Sequence, residues 1–337
     1  MKTAILGVGH MGRRHIQAVR QLGWELAGVY DVSPESLKLA AAEHRFANDL
    51  LFDDLNKLYR EAKPACLIIA TTADSHCELT CAAAERGVKY ILVEKPMAAS
   101  LEQCDRMIET CRRHEVRLAV NHQMRFMEHY REIKRMCATP AYGGLASMTL
   151  VAGNVGYAMN GTHYFEAFRY LTDEYPVEVS AWFSPDAVPN PRGARFEDRA
   201  GSIRAVTASG KRLYMEVGAD QGHGLRHIYA CRNGLLLLDE LTGELLSSVR
   251  DEQYRELPTT RYAMPATDTA RTLKPIELIE STAAVLTALV LNADNVCGED
   301  GRRVIELLVA AYQSAECGNT PVKLNTALDR RRVFPWA

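Results

Sequence analysis

Short, continuous apolar runs separated by segments of helical spacing dominate the first third of the chain. Ala4 to Leu6, Leu26 to Tyr30, Cys66 to Ala70, Val88 to Val93 and Val116 to Val120 each have the length of one strand, and their lack of polar alternation suits strands buried on both faces of a parallel sheet. The punctuation between them is that of helix ends. Gly23 closes one helix, Ser33 with Pro34 opens the next, and Asp53 and Asp54 precede a short one. Ser75 with Glu78 reads as a capping box for a helix running to about Arg86 that Gly87 ends, and Ser100 with Gln103 reads as another box. These five runs, within an expected sheet of six strands with intervening helices and right-handed crossovers, predict a doubly wound parallel sheet.

Beyond about residue 123 the pattern changes. One more helix, Glu128 to Cys137, leads through Pro140, Gly143 and Gly144 into a strand from Leu145 to Val151. Strands then follow in hairpin order. Ile203 to Thr207 and Arg212 to Val217 flank Ser209 and Gly210, Leu225 to Cys231 and Leu235 to Leu238 flank Asn233 and Gly234, and Thr242 with Gly243 marks a further turn. Helices return at Ile276 to Asn292 and Gly301 to Cys317, before a brief strand at Val322 to Leu324. The reading is an N-terminal Rossmann domain, residues 1–122, and a C-terminal α+β domain, residues 123–337, with a large, open, antiparallel-rich sheet. One face of such a sheet lies open to a partner, so a homodimer or homotetramer through it is expected.

The first strand runs straight into Gly7, Gly9 and Gly12, and RRHIQAVRQLG continues as a helix. In a dinucleotide fold the first glycine makes the tight turn, the second admits the pyrophosphate and the third lets helix and strand pack closely; the backbone N–H groups of His10 and Met11 would face the phosphate oxygens. A GxGxxG alone is weak, so the second strand matters. It ends in Asp31, 19 residues after Gly12, near the ~20 expected for the acid that binds the adenosine ribose. A carboxylate there accepts from a 2′-hydroxyl and repels a 2′-phosphate, and no arginine follows in Val32, Ser33 or Pro34; NAD is expected over NADP. The competing reading of Asp31 is an acidic residue at the start of the next helix.

Composition narrows the partners. The 337 residues carry a formal net charge of −2, with 24% charged and 47% hydrophobic residues, which provides no field for nucleic acid or an anionic membrane and points to small molecules. Nine cysteines without a CxxC pair fit a reducing cytoplasm rather than a disulfide framework or zinc ribbon, and no metal site is expected. The longest apolar stretch, near Ala283 to Leu291, is too short to span a bilayer.

Glu94, Lys95 and Pro96 follow the strand Val88 to Val93, where the crevice beyond strand carboxyl ends binds ligands. The Lys95 ammonium there would hold a substrate oxygen near the nicotinamide; alone, a lysine before proline reads more often as a solvated loop residue. GVGHMGRRH (Gly7 to His15), Asp31, TTADSH (Thr71 to His76), EKP, Arg125 with Phe126, and GTHYFE (Gly161 to Glu166) together resemble the Gfo/Idh/MocA oxidoreductases, the glucose-fructose oxidoreductase and inositol dehydrogenase family. The resemblance implies that Thr71, Thr72, His76, Glu94 and Lys95 line the cofactor, and that Lys95 and His163 serve the reacting hydroxyl or carbonyl. Where the family motif has an aspartate four residues before the histidine, this chain has Met159, and Glu166 stands at the final acid.

With an unperturbed pKa of ~6.5, an imidazole at His163 exchanges protons near neutrality. Asn121, Gln123 and Arg125 after the last Rossmann strand, with Asn154, Asn160, Thr162 and Glu166, form a polar set suited to a polyhydroxylated ligand between the domains. Arg192, Arg195 and Arg199 read as a solvated loop. The sequence thus predicts an NAD-dependent oxidoreductase of a sugar or cyclitol, including nucleotide-linked sugars. Its rivals are a reductase of another carbonyl, imine or unsaturated compound, and a non-catalytic NAD(H)-binding sensor.

Overall fold

The computed structural model describes all residues of the chain except 259–263, 275, 294–295 and 325–326. The chain forms two compact units. The first comprises Met1–Gln123, Glu277–Ile305 and Asp329–Ala337; the second comprises Met124–Ile276 and Glu306–Leu328.

In the first unit β1 (Lys2–Leu6), α1 (His10–Gln21), β2 (Glu25–Tyr30), α2 (Pro34–His44), β3 (Leu51–Phe52), α3 (Leu55–Ala62), β4 (Cys66–Ile69), α4 (Ala73–Glu85), β5 (Tyr90–Val93), α5 (Leu101–Arg113) and β6 (Arg117–Val120) alternate. The strands form one parallel sheet in the order β3-β2-β1-β4-β5-β6. This is the doubly wound sheet expected. Its central strands are covered on both faces, as the unbroken burial of β4 shows. One capping expectation fails: α4 starts at Ala73 with Thr72 as its N-cap, so Ser75 lies inside the first turn, donating its hydroxyl to the Thr72 carbonyl at 2.9 Å, and Glu78 pairs with Arg106 instead. At α5 the Ser100 hydroxyl does accept from the Gln103 N–H at 3.2 Å, while the Gln103 side chain takes the Ala99 N–H.

The second unit holds α6 (Glu128–Cys137), β7 (Leu145–Gly153), α7 (Thr162–Thr172), β8 (Pro176–Phe183), β9 (Gly201–Thr207), β10 (Arg212–Gly218), β11 (Arg226–Cys231), β12 (Gly234–Asp239), β13 (Glu244–Arg250) and β14 (Ala266–Thr272). The helices α8 (Leu278–Leu291) and α9 (Gly298–Glu316) and the short β15 (Val322–Lys323) follow. The nine-stranded sheet has the order β14-β13-β12-β11-β7-β10-β9-β8-β15. All its pairs are antiparallel except β7 with β10. The hairpin turns expected at Ser209–Gly210, Asn233–Gly234 and Thr242–Gly243 join β9 to β10, β11 to β12 and β12 to β13. Three strands, β8, β13 and β14, were not expected from sequence. The seven residues of β14 are all exposed, so nothing in its composition alternates.

The segments expected with the second domain do not all stay there. Residues 277–305 and 329–337 group with the first unit, where α8 packs on α1, β5 and β6. The apolar residues of α8 face that sheet, and Trp336, fully buried, stacks on Phe334 in the last segment. The Phe334 N–H donates to the Ala99 carbonyl at 2.8 Å, pinning the loop that follows Lys95.

Candidate functional site

The first unit gathers its polar residues beyond the carboxyl ends of its strands, around the reversal of strand order between β1 and β4. The glycine turn after β1 has two closed positions and one open one. Gly7 has φ +86°, and a Cβ at Gly12 would lie 1.9 Å from the Gly7 carbonyl oxygen. A Cβ at Gly9 would meet nothing within 4 Å. Gly9 is the N-cap of α1 without a side-chain capping bond, and the first turn, which begins with His10 and Met11, holds no acidic residue. An uncapped, positively polarised helix start with room beside Gly9 fits a pyrophosphate.

Asp31 is fixed beside this turn. Its Oδ2 accepts from the Val8 N–H at 2.8 Å and its Oδ1 from the Ser33 N–H at 2.9 Å. The cap of α2 is Ser33, which accepts from the Ser36 N–H. Asp31 is therefore a carboxylate held at the strand exit, not a helix cap, and each oxygen keeps a lone pair for a ribose hydroxyl. Thr71 bonds Ser75 through their hydroxyls at 2.7 Å, and the Thr72 hydroxyl donates to Asp74. His76, expected along the cofactor, is fully buried. Its Nδ1 faces the Pro96 and Met97 carbonyls and its Nε2 the Thr71 carbonyl, so it fastens the lysine loop to α4.

Glu94 is the hub of this half. Its Oε1 meets His15 Nε2 at 2.7 Å and the Asn121 amide at 2.8 Å, and its Oε2 accepts from the Lys95 N–H. Burial alone would push the Glu94 carboxyl up, but the hydrogen bond and charge of His15, the Lys95 charge and the Asn121 amide outweigh it and hold the group well below the usual carboxylate range. An ionised Glu94 fixes His15 Nε2 as the donor. Lys95 itself is nine-tenths buried, 9% exposed, which removes the reading of a solvated loop residue. Asn121, His122 and Gln123 are buried beyond β6, and Asn121 Oδ1 and Gln123 Oε1 meet no donor among the described residues. Two such oxygens suit the amide or hydroxyl groups of a bound ligand.

In the second unit, a π-helical turn at Tyr157–Gly161 delivers the chain into α7, which carries His163 and Glu166. His163 is 8% exposed and Glu166 is fully buried. Glu166 Oε1 accepts from the Arg169 guanidinium at 2.6 Å and lies 3.6 Å from Arg125, whose carbonyl accepts from Arg131. The expected substrate residues thus divide. Arg125 and Glu166 are paired with one another, and Thr162 turns its buried hydroxyl back to the Ala158 carbonyl at 3.1 Å. Asn154 is exposed in a left-handed turn, φ +53°, at the end of β7, a conformation that accounts for asparagine there without a ligand. Asn160 is half-buried on the turn itself.

Two residues were missed by sequence reasoning. One is His15, on α1, whose partner Glu94 lies 79 residues away. The other is Asp198, nearly fully buried in the segment between β8 and β9. Its Oδ1 accepts from the Ala158 and Arg199 N–H groups and its Oδ2 from the Met159 N–H, each at 2.8–2.9 Å, and a Cβ at Gly156 would strike its carboxylate. Asp198 caps the turn that presents His163. No local signal could have found it, because its partners lie some 40 residues earlier. Arg192 and Arg195 around it are exposed, as expected of a solvated loop. Among the described residues no group of three or more His, Cys, Asp or Glu side chains is placed to hold a metal ion, and no helix is long and apolar enough to cross a membrane.

Residues 1–122 match the GFO_IDH_MocA family model, the oxidoreductase family with an NAD-binding Rossmann fold. The chain is 34% identical over 140 residues to a 2,7-anhydro-N-acetylneuraminate hydratase of Mediterraneibacter gnavus, covering 40% of this chain and 36% of the relative. It is 27% identical over 261 residues to inositol 2-dehydrogenase 2 of Saccharopolyspora erythraea, 73% of this chain and 71% of the relative. Across the first four curated relatives the aligned stretch spans 36–63% of their own length. The fold of the whole chain is that of the aldose-aldose oxidoreductase of Caulobacter crescentus, solved with glycerol. The TM-score is 0.75 at 21% identity, over 95% of this chain and 98% of that one. Over its first 122 residues the chain is similar to the Gfo/Idh/MocA oxidoreductases, through the match to their NAD-binding Rossmann fold.

Proposed function

We propose that the protein is an NAD-dependent oxidoreductase acting on a hydroxyl or carbonyl carbon of a sugar or cyclitol. The observation that carries this reading is the buried Lys95, set by an ionised Glu94 at the strand exits next to the glycine turn and Asp31. The nicotinamide supplies hydride acceptance and donation when bound. Gly9 and the start of α1 would hold the pyrophosphate and Asp31 the ribose, with the carboxylate favouring NAD over NADP. Lys95 holds the reacting oxygen and stabilises negative charge on it, and His163 gives and takes the hydroxyl proton. Asn121, Gln123 and Asn160 offer amides to a polyhydroxylated substrate. The sugar and cyclitol substrates of relatives such as the inositol dehydrogenase support the substrate class. Nine free cysteines support a reducing, cytoplasmic setting.

The open face of the second sheet supports a homo-oligomer. Trp182, Ile228, Leu237 and Leu246 are exposed on it, and Ile228, Leu237 and Leu246 line a shallow groove of about 650 Å³.

The test is turnover of reduced nicotinamide, followed by absorbance with a panel of sugars, cyclitols and their oxidised forms. Sustained turnover by the native chain, lost in Lys95→Met and His163→Ala with cofactor affinity retained, is the expected result. Tight cofactor binding without turnover on any compound would favour the sensor. Full activity of either variant would remove that residue from its role.

A further inference from the structure

Cys137 ends α6 and Cys231 ends β11, and although 94 residues separate them their sulfurs lie 3.4 Å apart. No other pair of cysteines among the described residues shows an Sγ–Sγ contact of this kind between different elements; Cys77 and Cys81 share one face of α4 and are buried. The backbone is irregular at this point, since the pairing of β11 with β7 slips between Ala230 and Cys231. We propose that Cys137 and Cys231 are a modification site, forming a reversible intramolecular disulfide when the protein meets a two-electron oxidant of the hydroperoxide class.

The two thiols are not equivalent. Cys137 lies at the carboxyl end of its helix, where the macrodipole disfavours a thiolate, and it is buried. Cys231 is half-buried on a strand end and reaches solvent. The hydrogen bond it shares with the Cys137 thiol, working against burial, lowers its pKa, and its exposure makes it the sulfur an oxidant reaches first. The Cys231 thiolate attacks one oxygen of hydrogen peroxide. An S–O bond forms, the O–O bond breaks, and the departing hydroxide takes the proton Cys231 gave up, leaving as water. The Cys137 sulfur then attacks the sulfenic sulfur. The S–S bond forms, the S–O bond breaks, and the Cys137 proton leaves with the hydroxyl as a second water. Two thiols are oxidised by two electrons and one peroxide becomes two waters. Closing the sulfurs from 3.4 Å to the bonded length of about 2.05 Å needs only a small approach of two chain ends, one of them on an irregular strand terminus.

The experiment treats the native chain with equimolar hydrogen peroxide, blocks remaining thiols under denaturing conditions and maps peptides by mass. Free thiols should fall from nine to seven, with one linked pair carrying Cys137 and Cys231, and dithiothreitol should restore all nine. In Cys137→Ser, Cys231 should accumulate as a sulfenic acid trapped by dimedone; in Cys231→Ser, Cys137 should stay a thiol. A native chain that keeps nine thiols, or links a different pair, overturns the proposal without any variant. So does a Cys137→Ser protein whose dimedone label lies on another cysteine.

Discussion

His15 and Glu94, 79 residues apart in sequence, meet at 2.7 Å between Nε2 and Oε1, both side chains buried. The bond ties the helix that follows the glycine turn to the loop that carries Lys95, so the two functional segments of the first unit share one buried carboxylate. Replacing Glu94 by Ala strands His15 and the Asn121 amide and should cost about 3–5 kcal/mol, the range for breaking a buried pair. Urea unfolding measures it, and a loss under ~1 kcal/mol would show the pair to be energetically idle.

The same carboxylate sets a pH dependence. Glu94 has its folded pKa held below its ordinary 4.5, so the unfolded state binds the proton more readily. Its stabilisation is fully present above that ordinary value and is lost as pH falls below it towards the folded pKa. Native protein should therefore lose urea resistance more steeply in this acid range than Glu94→Gln, which has no proton to bind. Parallel curves for the two proteins would contradict the assignment.

The glycine turn separates folding from binding. A methyl at Gly12 collides with the Gly7 carbonyl, whereas one at Gly9, whose ψ of −162° is ordinary extended backbone, enters open space. Gly12→Ala should lower the melting temperature and abolish NAD binding together. Gly9→Ala should melt like the native protein and yet bind NAD at least tenfold more weakly, about 1.4 kcal/mol. Calorimetric titration beside a thermal scan distinguishes them, and unchanged affinity in Gly9→Ala would place the pyrophosphate elsewhere.

The doubly wound sheet was legible because its strands are buried on both faces and read as unbroken apolar runs, as in Cys66 to Ala70. The strands of the second sheet have one exposed face and carry less signal; β14, exposed throughout, carries none. GxGxxG, Asp31 and EKP were legible because each is a local spacing. What escaped were partnerships across distance. His15 needs Glu94, Asp198 needs the turn at 157–161, and α8 needs α1; each pairing is decided by packing that no short window contains.

Asp198 should behave as a positioning residue for His163. Truncation to Ala leaves the N–H groups of Ala158, Met159 and Arg199 without their acceptor, at about 1 kcal/mol each. Hydrogen exchange should quicken across 157–163, and the turnover proposed for His163 should fall in kcat more than in KM. Asp198→Asn keeps one carbonyl oxygen and should recover part of both. Native-like exchange in Asp198→Ala would leave the turn to be held by other contacts.

The open sheet face makes the last prediction. Leu246 is 53% exposed on β13, opposite Leu237 of β12, in the middle of a run of outward apolar side chains that a lone chain would leave in water. Each buried side chain of this kind gains roughly 1.5–3 kcal/mol on being covered, so a second copy laid against the face would bring several such gains at once, while a charge there would have to be desolvated. The proposed oligomer should therefore give way to a monomer in Leu246→Glu by light scattering, with an unchanged far-ultraviolet circular dichroism spectrum, because the side chain takes no part in the inner core. A native chain already monomeric at micromolar concentration, or a variant that stays assembled, would move the association surface away from this face.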